Sequence, residues 1–122
     1  MAPSALHWIE KDYSPRRWFV FMIEGVLRGL TDLEGVRVVL LVEQDGFVVH
    51  AQPTPLGIDS SVIESWNSLA NKAPSDALST VVMEGGYLVL KPIQQRVLMT
   101  VCERSCNLGN VRRALQNLEW PS

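Results

Sequence analysis

The order of apolar and polar residues changes period several times along the chain, and each change marks an element. From Ser14-Pro15 onward, Phe19, Met22, Ile23, Val26, Leu27 and Leu30 recur at helical spacing. Serine suits an N-cap and proline the first helical turn, so a helix is predicted to open there, with Gly35 beyond its end. Residues 36–43 (VRVVLLVE) are β-branched and apolar on both faces, the pattern of a central strand covered on both sides. Asp45-Gly46 signals a turn, and Phe47-Val48-Val49-His50-Ala51 is the second arm of a hairpin that Pro53 and Pro55 bring to an end.

The helical period then returns. Ser61-Val62-Ile63-Glu64 fits a capping box, with Asp59 and Ser60 as alternative caps. Val62, Ile63, Trp66, Leu69, Ala70 and Ala73 follow at helical spacing until Pro74. Two strands, 77–84 (ALSTVVME) and 87–91 (YLVLK), are expected on either side of a Gly85-Gly86 turn that needs positive φ angles. Residues 96–103 (RVLMTVCE) read as a last strand. Asn107 caps a final helix with Leu108, Val111, Ala114, Leu115 and Leu118 on one face. The fold class predicted is α+β, an α/β sandwich. A five-stranded antiparallel sheet carries two helices on one face and one on the other, in the order helix-strand-strand-helix-strand-strand-strand-helix. Residues 1–13 are assigned to an N-terminal extension and residues 14–120 to a single domain.

Composition narrows the function classes. A hydrophobic fraction of 47% in 122 residues supports one core and excludes a disordered chain. The longest apolar run, Val38–Val42, falls far short of the ~20 residues of a membrane span, and the first residues lack the basic-then-apolar order of a secretory signal. Eleven basic and thirteen acidic residues are scattered without a basic stripe, which argues against nucleic-acid binding. Two cysteines are too few for a disulfide framework. A cytoplasmic protein is expected, with no cofactor and no membrane insertion.

The order of elements, together with particular residues, resembles the Roadblock (dynein light chain) domain family. The match runs over about residues 15–119. It comprises Gly35-Val36 before the first strand, the Asp45-Gly46 turn, Glu84-Gly85-Gly86-Tyr87, the Leu88–Ile93 segment with its Pro92, and Leu108-Gly109-Asn110-Val111-Arg112. A long final helix makes the chain similar to the bacterial and archaeal branch, one member of which regulates a Ras-like GTPase in cell polarity and gliding motility. The resemblance implies a non-catalytic homodimer that regulates or scaffolds a Ras-like small GTPase. In the family the third strands join edge to edge, the second helices pair, and the GTPase meets the second-helix side. The alternative considered is a small-molecule-binding sensor of similar architecture.

Candidate chemistry is sparse. No phosphate-binding loop and no Gly-x-Ser-x-Gly elbow occurs. Cys102 and Cys106 stand at C-x₃-C spacing, and His7 and His50 lie in distant segments, so neither a metal site nor a catalytic pair is assigned. Cys102 reads as an apolar filler. Arg112 reads as either a partner contact or a structural arginine reaching a carboxylate or a chain end. The expected dimer interface is Leu78, Ser79, Thr80, Val81, Val82, Met83 and Trp66, because that edge has no proline or lysine to protect it. The expected partner-binding residues are Ile63, Glu64, Trp66, Asn67 and Ala70, in a stretch with few charges. Proline at Val81 is expected to break the dimer if that amide points outward, and to unfold the domain if it points into its own sheet.

Overall fold

The computed structural model describes residues 15–53, 57–72 and 77–121, with side chains from Val20 onward. The expected extension 1–13, the side chain of Trp18 and the Ala73-Pro74 end of the second helix lie outside the described residues. The described elements are α1 (Pro15–Thr31), β1 (Val36–Glu43), β2 (Val48–Gln52), α2 (Ser60–Lys72), β3 (Ser79–Met83), β4 (Gly86–Ile93), β5 (Arg96–Glu103) and α3 (Leu108–Gln116). The strands form one antiparallel sheet in the order β2-β1-β5-β4-β3.

Alternation along the strands divides the core into two layers. Val39, Leu41, Val89, Leu98 and Cys102 meet Ile23, Leu27 and Leu30 of α1 and Val111 and Leu115 of α3. Leu40, Val42, Leu88, Leu90, Val97 and Met99 turn to the other face and meet Ile63, Trp66 and Ala70 of α2. Two helices therefore cover one face and one covers the other, as the period changes predict. Each fully buried Leu, Ile or Val contributes about 1.5–3 kcal/mol of burial, and the central strands β1, β4 and β5 supply most of these residues.

Local chemistry explains several boundaries. The Asn107 side chain accepts from the Asn110 amide at 3.1 Å and caps α3 as expected. Helix α2 starts earlier than its serine box implies. The amides of Val62 and Ile63 donate to the Asp59 carbonyl at 3.1 and 3.3 Å, which makes Asp59 the N-cap and puts Ser61 inside the first turn. In the β1–β2 turn, Gly46 adopts φ +92° and the Asp45 carboxylate accepts from the Phe47 amide at 3.0 Å.

The β3–β4 turn differs from expectation. It is formed by Glu84-Gly85, and neither Gly85 nor Gly86 has a positive φ. Gly86 is required for another reason: it is the first residue of β4, and a Cβ there would run into the Cys102 carbonyl of β5. Strand β4 also continues through Pro92 to Ile93. The pairing with β3 ends at Ser79 opposite Leu90, so Pro92 stands at a local edge, where a missing amide is tolerated.

Candidate protein-interaction surface

Strand β3 is an edge strand, and its hydrogen-bond parity follows from its turn. Met83 and Gly86 lie opposite each other across the two-residue turn Glu84-Gly85. Residues closing such a turn exchange backbone hydrogen bonds, and the pattern repeats at every second residue. Met83, Val81 and Ser79 therefore direct their backbone groups into the sheet, toward Gly86, Leu88 and Leu90. Thr80 and Val82 direct theirs to the open edge. The Val81 amide belongs to the β4 ladder, so proline there unfolds the domain and is not a dimer breaker. Side chains follow the other alternation. Val81 and Met83 pack toward the α2 layer, whereas Leu78 packs toward α1 and α3. Val82 is 74% exposed.

Helix α2 presents two unlike flanks. At 100° per residue, Glu64, Asn67 and Asn71 fall on one side and Val62, Trp66 and Leu69 on the other. The first flank faces the β1–β2 turn. Asn67 is 6% exposed, its Nδ2 donates to the Gln44 carbonyl at 2.8 Å, and Gly46 lies under Asn67 and Glu64. The second flank lies over Val38 of β1 and Val101 of β5 and remains partly open, with Val62 39% and Leu69 43% exposed. A cleft of about 500 Å³ beside it is lined by Arg37, Val38, Ile58, Val62, Trp66 and Val101, among others.

The expected site residues are thus sorted by the fold. Leu78, Ser79, Thr80, Val81, Val82 and Met83 share the β3 edge, and half-buried Trp66 lies on the sheet face to which Val81 and Met83 turn. Of the expected partner-binding set, Glu64 is exposed and Trp66 and Ala70 are half-buried. Ile63 and Asn67 face inward, Ile63 into the core and Asn67 onto the Gln44 carbonyl, so these two do not belong to an open face. Val62 and Leu69 were on the helical stripe in the sequence but not in either site set. Their signal was a stripe too wide to be buried by one sheet.

On the opposite face, Arg112 of α3 donates from Nη1 to the Thr80 hydroxyl, and Lys91 donates to the Leu115 carbonyl at 2.7 Å near the end of α3. Both line a cleft of about 400 Å³ with Ala77, Leu78, Pro92 and Gln116. Arg112 therefore reaches a hydroxyl on β3 rather than a carboxylate. Cys102 is buried beneath α1 and α3 with Cys106 packed against it. Burial, and secondarily the neighbouring Cys106 thiol, pushes the Cys102 thiol up to about 12. Among the described residues no three His, Cys, Asp or Glu side chains gather as a metal site, and no helix is long and apolar enough to cross a membrane.

This arrangement is the Roadblock/LC7 fold, seen in solved structures of low sequence identity. A Roadblock/LC7 domain from Streptomyces avermitilis is 21% identical, with a TM-score of 0.64 over 77% of this chain and 91% of that one. Among the individual proteins that share the fold, Myxococcus xanthus MglB is 19% identical, with a TM-score of 0.65 over 78% and 86%. The gliding protein MglB from Thermus thermophilus is 17% identical, with a TM-score of 0.62 over 75% and 78%. No protein-family model and no curated protein matches the sequence.

Proposed function

We propose that this chain is a non-catalytic interaction module of the cytoplasm, a homodimer that regulates or scaffolds a Ras-like small GTPase. The observation that carries the reading is the unblocked β3 edge, together with the open Val62–Leu69 flank of α2 on the face to which Val81 and Met83 turn. An edge with outward amides and no proline, lysine or bulge is a template for another strand. Two copies related by a two-fold axis normal to the sheet would join their β3 strands and bring their α2 helices to the same face. The likeness of fold to the gliding protein MglB supports a regulatory role. The GTPase would then meet the α2 side, where Glu64 and the small polar residues Ser61, Ser65 and Ser68 are exposed. Such a regulator needs no catalytic residue of its own, because it can position groups of the GTPase. A core filled by Leu, Val, Ile and Met side chains gives the sensor alternative no support.

Sedimentation equilibrium at micromolar concentration tests the dimer. Capture of GTP-binding proteins from the native organism, loaded with a non-hydrolysable GTP analogue or with GDP, tests the partner. A monomer that retains no small GTPase in either nucleotide state overturns the reading.

A further inference from the structure

The β3 edge is open, and its geometry also specifies one register and one charge contact. The outward backbone groups belong to Thr80 and Val82. An antiparallel pair of identical strands that keeps all five residues Ser79–Met83 in the ladder is centred on Val81. Thr80 then pairs with the partner's Val82, and Leu78 lies opposite the partner's Glu84. Directly opposed residues share a face of the sheet, with Cβ atoms about 4.5–5.5 Å apart. Leu78 packs to the α1–α3 side, so the partner's Glu84 arrives on the side that holds Arg112.

Charge agrees with this placement. The cleft beside Leu78 holds Lys91 and Arg112, both half-buried, and neither meets a carboxylate among the described residues. Lys91 is occupied by the Leu115 carbonyl and Arg112 by the Thr80 hydroxyl, which fixes the guanidinium at the strand edge. Glu84 has an exposed side chain and no ion pair among the described residues. Its carbonyl is held by Arg104 at 2.8 Å, which anchors the turn and leaves the carboxylate without a bond of its own among the described residues. We propose that the carboxylate of Glu84 from a second copy of this chain enters the Leu78–Lys91–Arg112 cleft and pairs with Arg112, twice per dimer, and that this contact selects the Val81-centred register. The proposal rests on the β3-joined dimer proposed above. It adds to the dimer a device against slippage, which a flat edge of Val and Thr would otherwise allow.

The test is a charge reversal read by sedimentation equilibrium, with circular dichroism as the check on folding. Glu84→Arg and Arg112→Glu should each raise the dimer Kd at least tenfold, and the double reversal should return it to within about threefold of the wild type. Register is read separately by mild oxidation of variants with one cysteine introduced on this edge, Cys102 and Cys106 being replaced by valine and serine. Val81→Cys should cross-link to its own copy, whereas Thr80→Cys and Val82→Cys should not. A dimer that persists with unchanged Kd in both single variants, or whose losses merely add in the double variant, overturns the Glu84–Arg112 contact while leaving the dimer standing. Self-cross-linking at Thr80 or Val82 in place of Val81 overturns the register. A wild-type chain that stays monomeric overturns both this inference and the dimer it rests on. The cross-linking readout stands even if Arg112→Glu fails to fold.

Discussion

The two edges of the sheet are built from similar residues and end in opposite conditions. Strand β2 pairs with β1 through a break in register. Leu41 lies opposite His50 and Val42 opposite Val48, which leaves Val49 as the extra residue of a bulge. All five β2 residues are half-buried, α1 packs beside the strand, and Pro53 follows it. Strand β3 pairs with β4 without interruption over all five residues, and its outer face carries Val82 almost uncovered. A bulge and a flanking proline are devices that blunt an edge against another chain. One edge has them and the other does not. The difference shows that openness at β3 is not a consequence of small size or poor β patterning. The fold closes one edge and leaves the other available.

The largest effect comes from proline at neighbouring positions of the open edge. Val81→Pro removes an amide from the β3–β4 ladder and should cost about 1–3 kcal/mol for the orphaned Leu88 carbonyl alone, with the ring's clash added, read as a large fall of the thermal transition. Val82→Pro removes an outward amide and should leave a folded monomer, read by sedimentation and circular dichroism. If Val82→Pro unfolds the chain and Val81→Pro does not, the assigned parity of the edge is reversed.

That parity marks the limit of what the sequence made legible. The switch of hydrophobic period, from 3.6 to 2 and back, located all eight described elements, and alternation assigned side chains to faces. Neither period says which amides point into the sheet. The length and place of the hairpin turn decide that. A turn at Gly85-Gly86 would close on Glu84 and Tyr87 and send the Val81 amide outward. The turn at Glu84-Gly85 closes on Met83 and Gly86 and sends it inward. One residue inverts the edge, and the observed turn puts Gly86 where its backbone closes on the Cys102 carbonyl of β5. Asn67 was obscured for a different reason. A polar residue on a helix stripe reads as exposed, because its partner, the Gln44 carbonyl, is distant in sequence.

The two flanks of α2 give the next largest effects. Asn67→Ala removes the hydrogen bond that ties α2 to the β1–β2 turn and should lower stability by about 1–2 kcal/mol, measured by urea unfolding. Leu69→Arg, on the exposed flank, should leave stability within about 0.5 kcal/mol and weaken the dimer about tenfold. Equal losses of stability in the two variants would mean that the flanks are not distinct.

Alkaline pH separates the interior of the sheet from its edges. Cys102 lies in β5, between β1 and β4, and burial raises its thiol from 9.0 to about 12. The folded state therefore holds this proton more tightly than the unfolded chain. The stabilisation is complete below about pH 9 and is lost progressively as pH rises toward 12. Stability of the wild type should fall more steeply over that window than that of Cys102→Val, which cannot titrate there. Parallel curves for the two proteins would remove Cys102 as the cause.

The smallest effect is expected at the closed edge, and it completes the comparison. Lysine on an exposed strand edge opposes strand pairing. Val82→Lys places that charge among the outward groups of β3 and should raise the dimer Kd at least tenfold. Val49→Lys places the same charge on the bulged residue of β2, which makes no register pair with β1. Its half-buried position lets the aliphatic stem stay packed while the ammonium reaches water. Stability should change by no more than about 0.5 kcal/mol and the dimer Kd by less than twofold. A large loss of association in Val49→Lys would show that β2 carries the contact between copies. The edge open to a second copy would then be β2 and not β3.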